Sequence, residues 1–186
     1  MESTELKKHI LVLRIRIFFV LFVLFFVTTS SVKAQQTFLQ LQRYTTESGL
    51  SDNQITCAIR DHDGFMWIGT KDGLNWFDGN KFYIFKKNDS DSNSLCGNSI
   101  SSIELDGDSL LWIGTTASGL CSYNHRTRTF TQYNKQNSEL ISESINALKY
   151  DAHRNVIWIA LNNGGLCFID LSTKKLKVLE KERTFY

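Results

Sequence analysis

The sequence of 186 residues contains no proline, only four cysteines and almost no surplus of charge of either sign. Hydrophobic residues make up 42% and charged residues 22% of the chain. Such a composition excludes a disordered or fibrous protein, because it is too apolar and too balanced in charge. The formal net charge of +2 comes from the basic groups of residues 1–34, and the rest of the chain is nearly neutral. A nucleic-acid partner is therefore not expected, since its phosphates would require a basic face.

Motifs for catalysis and metal binding are also missing. The sequence has no Cys-x-x-Cys pair, no Gly-x-Ser-x-Gly motif and no glycine-rich phosphate loop. The histidines beyond residue 34 have no partner at metal-ligand spacing. Asp61-x-Asp63-Gly64 has the beginning of a calcium loop but lacks the downstream ligands, so it indicates a turn. We predict that this chain is not an enzyme and has no catalytic residues, no metal site and no cofactor.

Residues 1–34 have the pattern of a signal peptide. A basic stretch that ends at Arg16 precedes an apolar run over residues 17–27, and Val32 and Ala34 are small residues at the positions that signal peptidase requires. This run is too short to cross a hydrocarbon core of about 30 Å as a helix. We predict cleavage after Ala34 and a periplasmic or cell-envelope location, with an uncleaved signal anchor as the alternative. Membrane contact would then arise only through this leader or through further parts of a longer protein.

A repeat of about 46 residues fills the chain after the leader. The motif at residues 66–70 (Met-Trp-Ile-Gly-Thr) recurs at residues 111–115 and, in altered form, at residues 157–161. A glycine-leucine pair and an isoleucine recur at the same period. The equivalent residues are Trp67, Trp112 and Trp158; Gly73, Gly119 and Gly165; and Ile55, Ile100 and Ile145. Three independent markers at one period predict an internal repeat.

Each repeat contains four short segments that are rich in β-branched and aromatic residues and are bounded by Gly, Asp and Asn. In the first repeat these segments are residues 55–60, 66–70, 74–77 and 82–85. Four antiparallel strands in a repeat of this length are typical of a β-propeller blade. We predict an all-β fold in which residues 35–186 form a partial β-propeller. Its three four-stranded blades are expected at about residues 50–90, 95–135 and 141–180.

An additional N-terminal strand is predicted ahead of the first repeat. Leu41 and Tyr44 have the same spacing of apolar residues as the last strand of each repeat. Such an orphan strand completes the final blade in many propellers, and three blades are fewer than the four to eight that close a ring. We therefore expect the chain to be the N-terminal piece of a longer protein, or a truncated gene product. Its two end faces would be covered by the remaining blades or, alternatively, by self-association.

The same repeat predicts how the core is packed. The tryptophans are expected to fill the gaps between neighbouring blades, and the glycine before the third strand to let that strand begin tightly. Four cysteines in an exported chain permit two disulfides, but we expect them to be buried as small apolar core residues. Cys121 and Cys167 occupy one repeat position in adjacent blades, about 10 Å apart, which is beyond the reach of a disulfide.

The repeat resembles the two-component regulator propeller repeat. The matching positions are Ile55, Ile59, Asp61, Asp63-Gly64, Trp67-Ile68-Gly69-Thr70, Gly73-Leu74 and Asp78. The segment at residues 44–53 is also similar to the start of the periplasmic sensor in hybrid histidine kinases of gut-type bacteria. The resemblance covers residues 38–179 and weakens in the third repeat, where Ala160-Leu161 replaces Gly-Thr.

This resemblance implies a sensory function. Members of the family combine a signal peptide, two periplasmic propellers, a β-sandwich, a membrane span, and kinase and response-regulator domains with a DNA-binding tail. They sense oligosaccharides released from complex glycans. We therefore expect this chain to be part of a ligand-binding sensor, with an oligosaccharide as its ligand, and to be unable to signal alone because it has no kinase histidine.

The ligand face is predicted from the topology of a propeller blade. The loops that enter the first strand and those that join the second and third strands emerge on one face, and here they are rich in Asn, Ser, Asp and Lys. The four residues expected to bind ligand, because they would ring the mouth of the channel, are Lys71, Asp72, Asn162 and Asn163. Three alternatives remain at this point: solvated loops without a ligand, a secreted propeller-type lyase, and a self-assembling glycan-binding lectin.

Overall fold

The computed structural model describes residues 2–28, 41–107 and 110–179 and divides into two compact units, Met1–Gln42 and Arg43–Tyr186. The first unit contains helix α1 (Glu2–Thr28). Among the residues just named, no helix is both long enough and apolar enough to cross a membrane. The signal peptide over residues 1–34 stays a prediction, and its cleavage point after Ala34 lies outside the described residues.

The second unit consists of three sheets, which we call blades 1 to 3. Each is a four-stranded antiparallel meander whose strands lie side by side in chain order. Blade 1 contains β1 (Ile55–Arg60), β2 (Met66–Thr70), β3 (Gly73–Phe77) and β4 (Phe82–Phe85). Blade 2 contains β5 (Ile100–Leu105), β6 (Leu110–Thr115), β7 (Leu120–Asn124) and β8 (Thr129–Tyr133). Blade 3 contains β9 (Ile145–Asp151), β10 (Val156–Leu161), β11 (Gly165–Asp170) and β12 (Lys175–Val178). The predicted all-β fold with three four-stranded blades is confirmed.

The segment ahead of blade 1 differs from the prediction. Residues 41–45 form no strand, although an orphan strand was expected over residues 41–44. A strand needs a neighbour to accept its backbone hydrogen bonds, and no strand of the described residues pairs with this segment. The ring of Tyr44 instead packs edge-on against Phe77 at 5.0 Å and Phe82 at 5.6 Å, measured between ring centroids. A short 3-10 turn, Thr46–Ser48, follows.

The tryptophans lie where one blade faces the next, as predicted. Trp67 is 2% exposed and packs in a cluster with Leu111 and Ile113 of blade 2. Trp112 is fully buried in a second cluster, whose other members come largely from blade 3. Trp158 is only half-buried, because no further blade among the described residues covers it. The core is therefore a series of interfaces between blades.

An aspartate holds the tryptophan of each blade in place. In blade 1, the indole N–H of Trp67 donates to Asp61 Oδ2 at 3.0 Å. The other oxygen of the same carboxylate accepts the backbone N–H of Phe65 at 2.9 Å. Blades 2 and 3 repeat the indole bond between Trp112 and Asp106 at 3.4 Å and between Trp158 and Asp151 at 3.3 Å. One carboxylate thus closes the turn between the first two strands and satisfies the indole donor.

A glycine in the second strand permits the close approach of the next blade. A Cβ atom on Gly69 would lie 2.6 Å from Cγ2 of Ile100, and one on Gly114 would lie 2.6 Å from Cγ2 of Ile145. Ala160 occupies the equivalent position in blade 3, whose outer face meets no further blade among the described residues. The glycine is therefore required where an isoleucine of the next blade packs onto the strand.

Substitution of the turn aspartate tests its double role. We expect Asp61→Ala to lower the free energy of unfolding by about 1–3 kcal/mol, because it leaves the buried indole N–H of Trp67 without an acceptor. Asp63→Ala, in the same turn but exposed, is the matched control and should cost less than about 0.5 kcal/mol. Urea unfolding followed by far-UV circular dichroism measures both. Equal costs for the two variants would contradict the proposed role of Asp61.

Substitution of the interface glycine tests the close approach between blades. Gly114→Ala should destabilise the fold by about 1–3 kcal/mol, because the added methyl group overlaps Ile145. In an Ile145→Ala background, which removes the contacted Cγ2 atom, the same substitution should cost less. A double-mutant cycle from urea unfolding measures this difference, and strictly additive effects would exclude the steric explanation.

Candidate functional site

Two groups of loops lie together at one end of the three sheets, which we call the loop end. The first group leads into the first strand of each blade, at residues 45–54, 86–99 and 134–144. The second group joins the second and third strands, at residues 71–72, 116–119 and 162–164. The antiparallel meander places both groups at the same end, because each first strand starts where the second strand finishes.

Backbone hydrogen bonds fix the loop end within each blade. The residue after each second strand donates its N–H to the carbonyl of the residue before the first strand. These bonds are Lys71 to Gln54 at 3.1 Å, Thr116 to Ser99 at 3.0 Å and Asn162 to Ser144 at 2.8 Å. The side chains of Lys71 and Asn162 therefore extend from a backbone that is already held in position.

A second set of hydrogen bonds joins neighbouring blades at this end. The N–H of Gly73 in blade 1 donates to the backbone carbonyl of Asn98, in the loop that enters blade 2, at 2.8 Å. The N–H of Gly119 in blade 2 donates to the backbone carbonyl of Glu143, in the loop that enters blade 3, also at 2.8 Å. Both glycines have positive φ, at 134° and 76°, a conformation that is costly for other residues. The prediction that glycine starts the third strand tightly is confirmed, and the same residue links the blades.

The two predicted ligand residues of blade 1 have different environments. Lys71 is exposed. The carboxylate of Asp72 is already paired, with Lys86 Nζ at 2.6 Å and with Asn98 Nδ2 at 3.2 Å. Asp72 thus holds the start of the loop 86–99, and a ligand that used this carboxylate would compete with both partners.

The two predicted residues of blade 3 are both exposed. The carbonyl of Asn162 accepts a hydrogen bond from Ser142 Oγ at 3.0 Å, so its backbone is anchored. Asn163 has a φ of 57°, which asparagine tolerates better than most residues. The structure places these two residues at the same end as Lys71 and Asp72, but blade 2 lies between the two pairs.

The turn in blade 3 is built differently from those in blades 1 and 2. Thr70 Oγ1 donates to the carbonyl of Gly73 at 2.9 Å and accepts the N–H of Asp72 at 3.1 Å. Thr115 makes the same two bonds in blade 2. Leu161 stands at this position in blade 3 and has no hydroxyl group. The third turn therefore lacks this side-chain bridge and presents Asn163 outward instead.

A second concave region lies at the opposite end of the sheets, where the sequence predicts no site. A cavity of about 300 Å³ forms between the turns of blades 1 and 2, and its lining includes His62, Trp67, His125 and Arg126. The ring of His125 lies 5.5 Å from that of Trp76. His62 and His125 both lie in turns, one in blade 1 and the other in blade 2. No spacing could have joined them, because they belong to different blades that only the packing brings together.

The side chains of the described residues offer no metal site. Within the part of the chain that the structure describes, no group of three or more His, Cys, Asp or Glu residues could hold a metal ion. The polar groups at the loop end are amides, hydroxyls and single charges, which suit hydrogen bonding to a polar ligand.

Parts of the chain are similar to known proteins. The two-component regulator propeller family matches residues 49–72 and 94–117. Histidine kinase P4 of Formosa agariphila is 38% identical over 73 residues, which are 39% of this chain and 5% of the kinase. The chain therefore spans only a small part of that relative.

Two crystal structures from B. thetaiotaomicron have a similar fold. The extracellular domain of the hybrid two-component system BT3049 is 30% identical, with a TM-score of 0.69 over 76% of this chain and 20% of that one. The extracellular domain of the one-component system BT4673 is 22% identical, with a TM-score of 0.60 over 70% of this chain and 19% of that one. The second likeness shows the fold alone. Two segments of the chain thus match the two-component regulator propeller family, and the fold of its three blades is similar to that of these extracellular domains.

Proposed function

We propose that this propeller is the ligand-sensing region of an exported two-component receptor and that its ligand is an oligosaccharide. The observation that carries the proposal is the likeness to the extracellular domain of a hybrid two-component system, at 30% identity and a TM-score of 0.69. The chain covers 20% of that domain. The signalling activity would accordingly belong to the whole receptor, and this chain would contribute part of its binding surface without being an enzyme.

The chemistry of the loop end supports a sugar as the ligand. Hydroxyl-rich molecules are held by many directional hydrogen bonds from amides, hydroxyls and charged groups. Lys71, Asn162 and Asn163 are exposed groups of these kinds at this end, and hydrogen bonds hold the backbone of Lys71 and Asn162 in position. A fixed backbone reduces the entropy lost on binding, so modest contacts suffice for recognition.

Export is supported by two separate observations. Residues 1–34 have the pattern of a signal peptide, and the similar domain of the hybrid two-component system is extracellular. We therefore place the propeller in the periplasm or cell envelope, where released glycan fragments would reach it. Further blades of the receptor, or a second copy of the chain, would cover the outer faces of blades 1 and 3.

Substitution of the loop-end residues tests the binding site. We expect Asn163→Gly to weaken the binding of a responsive oligosaccharide about tenfold, because glycine keeps the positive φ but removes the amide. Asn155→Gly is the matched control, since Asn155 has a φ of 54° but lies in a turn at the opposite end. Isothermal titration calorimetry of the full chain against neutral and acidic oligosaccharides provides the measurement.

A second pair of variants removes one lysine from each end of the blades and compares the effects on ligand binding. Lys71→Ala should weaken binding by a similar factor, whereas Lys81→Ala, in the turn between β3 and β4, should leave it unchanged. If Arg126→Ala or His125→Ala abolished binding while the loop-end variants did not, the ligand would occupy the cavity at the opposite end. Absence of binding by every oligosaccharide tested would count against a glycan as the ligand.

A further inference from the structure

One pair of repeat positions forms a tie between a loop and the third strand of its blade. The first position directly follows a buried leucine in the loop that enters the blade. The second position directly follows the leucine of the third strand. In blade 1 they are Ser51 and Asn75. The N–H of Ser51 donates to Asn75 Oδ1 at 2.9 Å, and Asn75 Nδ2 donates to Ser51 Oγ at 2.8 Å. Asn75 is fully buried, so these bonds fasten the loop at residues 45–54 to the interior.

In blade 2 the same two positions are occupied by cysteines. Cys96 follows Leu95 in the entering loop, and Cys121 follows Leu120 in β7. Their Sγ atoms lie 2.6 Å apart, and the side chains are 5% and 0% exposed. This separation approaches the roughly 2.0 Å of a disulfide bond. The two sulfur atoms therefore meet in a site that is closed to solvent.

The backbone around Cys96 is fixed independently of the sulfur contact. Residues 86–99 form a strap along the outer edge of blade 2. Asn93 Oδ1 accepts the N–H of Phe130 in β8 at 2.7 Å, and Gln132 Nε2 in the same strand donates to the carbonyl of Ser94 at 3.0 Å. These bonds hold the strap against the edge strand β8, so Cys96 reaches Cys121 without any rearrangement of the fold.

We propose that Cys96 and Cys121 form a disulfide bond, the covalent counterpart of the Ser51–Asn75 tie in blade 1. Two S–H bonds break and one S–S bond forms, with release of two protons and two electrons. A disulfide oxidant, such as oxidised glutathione or an oxidised thiol-exchange protein, takes up both electrons through a mixed disulfide and leaves as two thiols. The bond requires only the fold and an oxidising environment, and it does not depend on the identity of the ligand.

The folded site also indicates when the bond forms. The contact with Cys121 and burial together raise the pKa of the Cys96 thiol well above its usual value. Thiolate, the attacking species in exchange, is therefore scarce once the strap is closed. The bond is expected to form while the strap is still open during folding, and the reduced folded protein should be oxidised slowly.

The other two cysteines provide internal controls. Cys167 is the repeat equivalent of Cys121, but the loop position opposite it in blade 3 is Ile141. Its Sγ atom lies 3.7 Å from the carbonyl oxygen of Ile159, and burial raises its pKa to about 11. Cys57 lies in β1 and is half-buried. Cys167 therefore has no cysteine at the opposite tie position, and Cys57 lies at neither tie position, so both are expected to remain thiols.

Peptide mapping of the full chain tests the bond directly. The chain is refolded with oxidised and reduced glutathione, alkylated under denaturing conditions, and cleaved without reduction. Trypsin alone leaves both cysteines in the peptide 88–126, so a protease that cleaves after Glu104 must be added. We expect peptides 88–104 and 105–126 to be linked, and Cys57 and Cys167 to be alkylated. Alkylation of Cys96 and Cys121, or a link to either control cysteine, would overturn the proposal.

A second measurement tests the bond as a tie in the fold. Reduction should lower the folding equilibrium constant of the oxidised protein by roughly a hundred-fold or more, because the bond joins residues 25 positions apart. The Cys167→Ala variant should show the same dependence on reductant. The Cys96→Ser/Cys121→Asn variant, which imports the pair of blade 1, should show none. A dependence on reductant in this last variant would assign the effect to another cysteine.

Discussion

The structure depends on the packing of each blade onto the next through a tryptophan. A single four-stranded sheet cannot bury both of its faces, so it is stable only when another sheet covers the apolar one. Trp67 and Trp112 fill this interface between blades 1 and 2 and between blades 2 and 3. The carboxylates of Asp61 and Asp106 orient the two indoles. Close approach then requires a glycine, Gly69 or Gly114, opposite the isoleucine of the next blade. Ala160 replaces the glycine in blade 3, which no further blade of the described residues contacts.

The first strand of each blade lies at an edge of its sheet, and side chains of the preceding blade can satisfy its backbone N–H groups. The N–H of Leu148 in β9 donates to Ser102 Oγ at 3.1 Å, and that of Tyr150 donates to Glu104 Oε1 at 3.2 Å. Side chains of blade 2 thus satisfy backbone donors of blade 3 where no further strand is available. Lys149 Nζ also lies 2.8 Å from the same Glu104 oxygen, so one glutamate joins the two blades by charge and by hydrogen bonding.

Hydrogen bonds within and between the stacked blades also hold the loop end in position. Each turn between the second and third strands is bonded to the loop that enters its own blade, and those of blades 1 and 2 are also bonded to the loop of the next. The tie between loop and third strand adds side-chain contacts, made by Ser51 and Asn75 in blade 1 and by Cys96 and Cys121 in blade 2. A polar surface built on such a frame can present groups to a ligand without first becoming ordered. The hydrogen bonds that stabilise the loops would therefore also hold in position the groups that we propose to bind ligand.

The sequence by itself determined the blades, because their strands depend on local pattern and their order on a repeat that can be counted. The markers Trp67, Gly73 and Ile55, each with two equivalents, predicted the fold and the buried tryptophans. Local pattern could not predict that residues 41–45 would remain without a strand, since pairing depends on which neighbour is present. Only the tertiary structure brought His62 to the same cavity as His125, or Cys96 to Cys121, because no period in the sequence relates a loop to the strand on which it folds. Contacts between elements far apart in the chain depend on how those elements pack, and a local sequence pattern does not determine that packing.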